Sequence, residues 1–255
     1  MTWLELLAVL GAGIAAGGIN TIVGSGTLIT FPVLLAFGLP PVTANVSNTI
    51  GLVPGSISGV IGYRRELAGQ RSRLLQLGTA SLLGGITGAV LLLVLPAAAF
   101  KAIVPALIIV ALILVMVQPR LAAWVKRRRE NGNGTVPEHG GPILLAAVYG
   151  TGIYGGYFGA AQGVLLIGLL GIFVHDELQR LNAVKNVLAL IVNAVSAVIF
   201  IVVAEVNWQA VAMIAIGSII GGQLGAHYGR RLSPTMLRAV IVVVGGIAVV
   251  RLLAA

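Results

Sequence analysis

Polar side chains able to hold a ligand are few in this 255-residue chain, and they fall into two sets. The first is Asn20, Ser25 and Thr27, followed by Asn45, Ser47, Asn48 and Thr49. The second is Tyr157 and Gln162, followed by Asn182, Lys185, Asn186 and Asn193. All lie inside or at the edge of apolar runs, where a polar group without a partner is costly. Hydroxyls, amides and one ammonium make a donor-rich set, suited to a small anion or a neutral solute. A cation pump or proton relay usually needs a carboxylate in the middle of an apolar run. The seven acids here (Glu5, Glu66, Glu130, Glu138, Asp176, Glu177 and Glu205) all sit near loops or segment ends.

Lys185 is the most telling single residue. It follows Asp176-Glu-Leu-Gln-Arg180 and opens a long apolar run. A lysine at the bilayer centre costs roughly 2.5–3.5 kcal/mol on insertion scales. Two readings compete: the ammonium snorkels to the interface, or it supplies a counter-charge for an anionic substrate.

Other chemistries find no support. His139, His175 and His227 are scattered over the linker, a turn and a segment end, and their ordinary place is interfacial. The sequence has no cysteine, no HExxH, no phosphate-cradling GxxxxGK[ST] and no GxSxG. No cofactor or metal is therefore expected, and an enzyme is poorly supported.

The elements that must position these residues are membrane segments. The chain is 58% hydrophobic and 9% charged, with mean hydropathy +1.05. A soluble domain carries about 25% charged residues. Too much apolar surface is present for any soluble core, so lipid must solvate it. Segments are expected at 4–23, 27–37, 42–63, 74–95 and 100–117, then at 143–158, 164–174, 181–203, 208–228 and 236–253. Residues 27–37 and 164–174 are too short to cross as complete helices, and they hold matching places in the two halves. Between the halves, 119–141 is polar, and 126–141 reads as a flexible loop without a fold of its own. The start, Met1-Thr-Trp-Leu-Glu5, lacks the basic region of a cleavable signal peptide.

The two halves repeat one another. Ser81-Leu-Leu-Gly-Gly-Ile-Thr-Gly-Ala89 returns as Ser218-Ile-Ile-Gly-Gly-Gln-Leu-Gly-Ala226. Val46-Ser-Asn48 returns as Val184-Lys-Asn186, and Ser58-Gly-Val-Ile61 as Ser196-Ala-Val-Ile199. The basic residues that give the +9 net charge cluster in short loops, the signature of orientation rather than of nucleic-acid binding. Arg64, Arg65, Arg71 and Arg73 lie in one such loop, and Arg120 with Lys126–Arg129 in another; both can be cytoplasmic. The loop matching the first of these carries Glu205. The nearly neutral loop 96–101 matches the basic one with Arg230, Arg231 and Arg238. Charge bias thus reverses between halves, and five segments per half is an odd number. Both facts predict an inverted repeat, with both termini outside if the short segments count as crossings.

In inverted-repeat transporters, paired broken segments mark the substrate site. The first break reads Gly18-Ile-Asn20-Thr21-Ile-Val-Gly24-Ser25-Gly26-Thr27, the second Gly155-Gly-Tyr157-Phe-Gly159-Ala-Ala161-Gln162-Gly163. Aligning Gly26 with Gly163 sets Ser25 opposite Gln162 and Asn20 opposite Tyr157. Helix packing by small residues explains the glycines. It does not explain the amides and hydroxyls among them.

The Gly24-Ser-Gly26 break, Phe31-Pro32, Gly38-Leu-Pro-Pro41 and Ala44-Asn-Val-Ser-Asn48-Thr49 resemble the TauE/SafE sulfite exporter family. The resemblance covers essentially the whole chain. It implies carriage of small organic or sulfur-containing anions (sulfite, sulfonate or sulfoacetate-like) across the bacterial inner membrane. The expectation is an all-α polytopic membrane protein of two inverted five-segment repeats, 1–118 and 142–255, joined by a cytoplasmic linker, 119–141. Its substrate-binding residues are Asn20, Ser25, Thr27, Asn48, Tyr157, Gln162, Lys185 and Asn186. Expected partners are a small anionic substrate, the lipid bilayer and a coupling ion (proton or sodium), with no nucleic acid. A homodimer is the assembly to test. A passive anion channel and a non-transporting scaffold are the alternatives.

Overall fold

The computed structural model describes residues 1–130, 141–228, 239, 241–247 and 249–250. Regular structure among them is helical throughout: α1 (Trp3–Ile22), α2 (Thr27–Ala36), α3 (Pro41–Gly62), α4 (Arg71–Val94), α5 (Ala97–Glu130), α6 (Gly141–Tyr157), α7 (Gln162–Phe173), α8 (Leu178–Val203) and α9 (Trp208–Tyr228). Residues 241–247 are also helical. Local chemistry fixes several starts. Thr2 and Glu5 form a capping box at α1, with Thr2 N donating to Glu5 Oε2 at 2.8 Å. Asn207 Oδ1 accepts from Ala210 N at 3.0 Å and so caps α9. Pro41 opens α3, where its missing N–H removes no helical bond.

Five helices (α1, the Ala97–Arg120 part of α5, α4, α8 and α9) are long and apolar enough to cross a bilayer, whereas α2 and α7 are short. Large apolar side chains face outward along them, Val94 at 75% exposure and Val202 at 78%. That is the surface that lipid must solvate.

The linker expectation needs correction. Helix α5 runs through Pro119 to Glu130, so residues 126–130 of the expected loop are helical. The stretch after Arg120 lacks an apolar period, but Leu, Ala, Lys and Arg are among the best intrinsic helix formers. Residues 131–140 with His139, and the basic stretch 229–238 with Arg230 and Arg231, lie outside the described residues.

Packing follows an exchange rule. α1 and α3 both pack on α9, while α6 and α8 both pack on α4, and α3 lies against α8 at the centre. Swapping each helix of the first half for its counterpart in the second leaves this pattern unchanged. Glycine makes the close crossings possible. A Cβ on Gly17 would come within 2.7 Å of Ser218 Cα, and one on Gly84 within 2.9 Å of Gly152 Cα.

Two contacts mark the ends of the bundle. Arg73 Nη1 meets Asp176 Oδ2 at 2.7 Å, tying the α3–α4 connection to the α7–α8 connection. Arg180 Nε meets the same carboxylate at 2.8 Å, and Gln70 Nε2 donates to the Arg180 carbonyl at 3.2 Å. In the other contact, the Met1 ammonium donates to Gln209 Oε1 at 3.4 Å, at the start of α9.

Candidate substrate site

Each of the two sequence breaks ends one helix and starts a short one. α1 finishes with Val23 N and Gly24 N both donating to Ile19 O, at 2.7 and 3.0 Å. Gly24 then turns the chain in the left-handed region, at φ +85°, a conformation glycine adopts without penalty. α6 finishes the same way, with Phe158 N and Gly159 N donating to Tyr154 O and Gly159 at φ +75°. The helix ends therefore match Gly24 with Gly159, and the helix starts match Thr27 with Gln162. This register differs from the expected pairing of Gly26 with Gly163, Ser25 with Gln162 and Asn20 with Tyr157. Glycine spacing alone misplaced it because the second break has one more glycine than the turn uses. The extra one, Gly163, serves another purpose.

Gly163 N donates to Gly24 O at 3.0 Å. The starts of α2 and α7 therefore touch directly, backbone to backbone. A Cβ on Gly163 would sit 3.1 Å from Gly24 O and 3.2 Å from Gly24 C, and closer still to Gly24 Cα. From this meeting point the two short helices run apart. α2 leads to the start of α3, where Asn45 Nδ2 donates to Tyr157 O at 3.0 Å. α7 leads to the start of α8, beside the Arg73–Asp176 pair near the far end of α3. A 22-residue helix is about 33 Å long, so α2 and α7 point in opposite senses with their N-termini together. Each N-terminus carries the positive end of the helix dipole.

The side chains around this point divide into those that brace it and those with a polar atom left unpaired among the described residues. Asn48, fully buried, braces α2: its Nδ2 donates to Thr27 Oγ1 at 3.2 Å, and its Oδ1 accepts from Thr30 Oγ1. Lys185, 1% exposed, does not snorkel. Its Nζ donates to Asn20 O at 3.3 Å and Thr21 O at 3.2 Å, the last carbonyls of α1. Asn182 and Asn186 also donate to Thr21 O, each at 3.4 Å. Ser25 Oγ, Gln162 Nε2, Tyr157 Oη and Asn45 Oδ1 are buried and find no hydrogen-bond partner among the described residues. Buried polar atoms are nearly always paired, so each of these orphans, three of them donors, is open to a polar ligand.

The expected residues thus come together in two groups. Ser25, Thr27, Asn48 and Gln162 lie at or beside the starts of α2 and α7. Asn20, Lys185 and Asn186 gather at the end of α1. Tyr157 links the second break to α5, its ring 5.5 Å from Phe100. Thr30 was not anticipated, although it lies one turn after Thr27 on the same face. The aromatic wall of Phe31, Phe158 and Phe100 was not anticipated either. Phe31 and Phe158 are 5.2 Å apart edge to face, and nothing in their spacing signals that meeting. Among the described residues no group of His, Asp or Glu could hold a metal ion.

The family model for the sulfite exporter TauE/SafE matches residues 9–252. This chain belongs to the TauE/SafE family. It is similar to the probable membrane transporter protein YfcA of Escherichia coli strain K12, 28% identical over 93% of this chain and 86% of that one. A probable membrane transporter protein of Haemophilus influenzae is 26% identical over 94% of this chain and 91% of its own length. The probable membrane transporter protein ORF9 of a Sinorhizobium species is 27% identical, over 95% and 90%. No solved structure matches the chain. As a TauE/SafE protein it is a multi-pass transporter of the bacterial inner membrane, not an enzyme.

Proposed function

We propose that this TauE/SafE protein exports a small organic or sulfur-containing anion (sulfite, a sulfonate or a sulfoacetate-like compound) by alternating access. The observation that carries the reading is the head-to-head meeting of α2 and α7 at Gly24 and Gly163, with the orphaned donors Ser25 Oγ and Gln162 Nε2 beside it. Two helix N-termini facing one point favour negative charge there. Ser25, Thr27, Asn48, Gln162 and Asn186 supply or orient hydrogen bonds. Tyr157 and Asn20 shape the two breaks, and Lys185 contributes a positive charge that no carboxylate cancels among the described residues. The family's sulfite-exporter description supports a sulfur oxyanion.

The mechanism we infer uses two inverted five-segment repeats, 1–118 and 142–255, joined by 119–141. The helix-exchange pattern, the opposed directions of α2 and α7, and the reversed loop charges support the inversion. The Arg73–Asp176 end carries the basic loop and is assigned to the cytoplasm, the Met1–Gln209 end to the outside. Direct backbone contact between the breaks supports a carrier over an open channel.

Flux of sulfite and of a simple sulfonate into proteoliposomes tests the proposal. Saturable flux, stimulated by anion loaded on the opposite side, is the expected result. Anion binding and transport left unchanged in both Asn48→Ala and Asn186→Ala would remove the site assignment.

A further inference from the structure

The ammonium of Lys185 is buried at 1% exposure, deep in the helical bundle, with no carboxylate as partner among the described residues. What it has instead is the negative end of a helix. Asn20 O and Thr21 O belong to the last turn of α1, whose final carbonyls have no helical N–H to accept from. Asn182 and Asn186, one turn apart on α8, flank it with amide groups reaching the same Thr21 oxygen. Thr21 Oγ1 is itself turned away to Gly17 O at 2.9 Å. Two convergent carbonyls at a helix C-terminus, without helical N–H partners of their own, attract a monovalent cation.

We propose that this pocket is a monovalent-cation position and that Lys185 fills it permanently with a cation tethered to α8. The ammonium holds the end of α1 against α8, and thereby fixes Gly24 and the start of α2. A lysine is suited to this because its long stem carries a compact charge with rotatable donors. A free sodium ion has no room at this position while the lysine is present. The second break has no such device: the end of α6 is held by the neutral Asn45. The two breaks are therefore braced asymmetrically, the first by charge and the second by an amide.

The test is chemical rescue in the detergent-solubilised full chain, read by thermal unfolding, which needs no knowledge of the transported anion. Lys185→Ala should unfold at a lower temperature than the wild type. n-Propylammonium should restore part of that loss, saturably, with an upward shift of about 2–4 °C. Sodium should give a smaller shift, and tetramethylammonium, which has no N–H, none. Wild-type protein should show none of these shifts at matched ionic strength. Lys185→Met, which keeps the stem without the charge, covers the case in which the alanine variant does not fold. Wild-type stability in Lys185→Met would overturn the proposal, as would equal responses of variant and wild type to propylammonium and tetramethylammonium. A sodium-specific stabilisation of the wild type that disappears in Lys185→Met would overturn it too.

Discussion

Replacing Gly163 by alanine is the most direct probe of the contact between the breaks. Gly163 is not at positive φ, so alanine there meets no conformational penalty of its own. The added methyl would lie 3.1 Å from Gly24 O and 3.2 Å from Gly24 C, and inside contact distance of Gly24 Cα. Backbone atoms cannot rotate away as a side-chain tip can, so α2 and α7 must separate by about 1 Å. Overpacking of this kind costs about 1–3 kcal/mol. The 3.0 Å bond from Gly163 N to Gly24 O is lost or stretched, which adds about 0.5–1.5 kcal/mol. A total of about 1.5–4.5 kcal/mol follows. Gly150→Ala is the matched control: no atom lies within 4 Å of its added methyl, and alanine within α6 should stabilise by up to about 1 kcal/mol. Thermal unfolding of the two variants in one detergent reads the difference. If Gly163→Ala and Gly150→Ala unfold within about 0.5 kcal/mol of one another, the breaks do not meet as described.

Ser25→Ala should leave stability unchanged or slightly raised, because it removes a buried hydroxyl that has no partner among the described residues; sulfite affinity should fall about 10–150-fold by the worth of one hydrogen bond to an anion, and unchanged affinity in titration calorimetry would place the anion elsewhere. Asn48→Ala strips partners from buried Thr27 and Thr30 and should destabilise by about 2–4 kcal/mol; a denaturation midpoint equal to wild type would refute the bracing role. For Asp176, burial opposes ionisation, but bonds from Arg73, the Glu177 N–H and Arg180 outweigh it and hold the carboxyl below its ordinary range. Its stabilising contribution is therefore full above about pH 4 and fades as pH falls below that. Stability against pH should be flatter in acid for Asp176→Asn than for wild type, and parallel curves would contradict the ion pair.

Much of the helical layout was legible because lipid imposes simple rules. Apolar length gave the segments, and the matched short runs at α2 and α7 gave the places where helices break. The depth of Lys185 was not legible, since the start of a long apolar run fits snorkelling as well as burial. Nor were its partners. Asn20 O and Thr21 O are backbone atoms of a helix more than 160 residues earlier, and carbonyls leave no trace in side-chain identity. The register of the breaks was misread for a related reason. A glycine required for a turn, such as Gly159, and a glycine required for close approach, such as Gly163, are the same letter.

By itself, then, the sequence determined the class, the orientation signal and the polar inventory, because each follows from the free energy of placing a given side chain in lipid or water. Tertiary structure alone decided that the two breaks touch, that Asn48 braces α2, and that Asn182, Lys185 and Asn186 close the end of α1. Those contacts join segments brought together by glycine-lined crossings, and their geometry depends on the packing of the whole bundle.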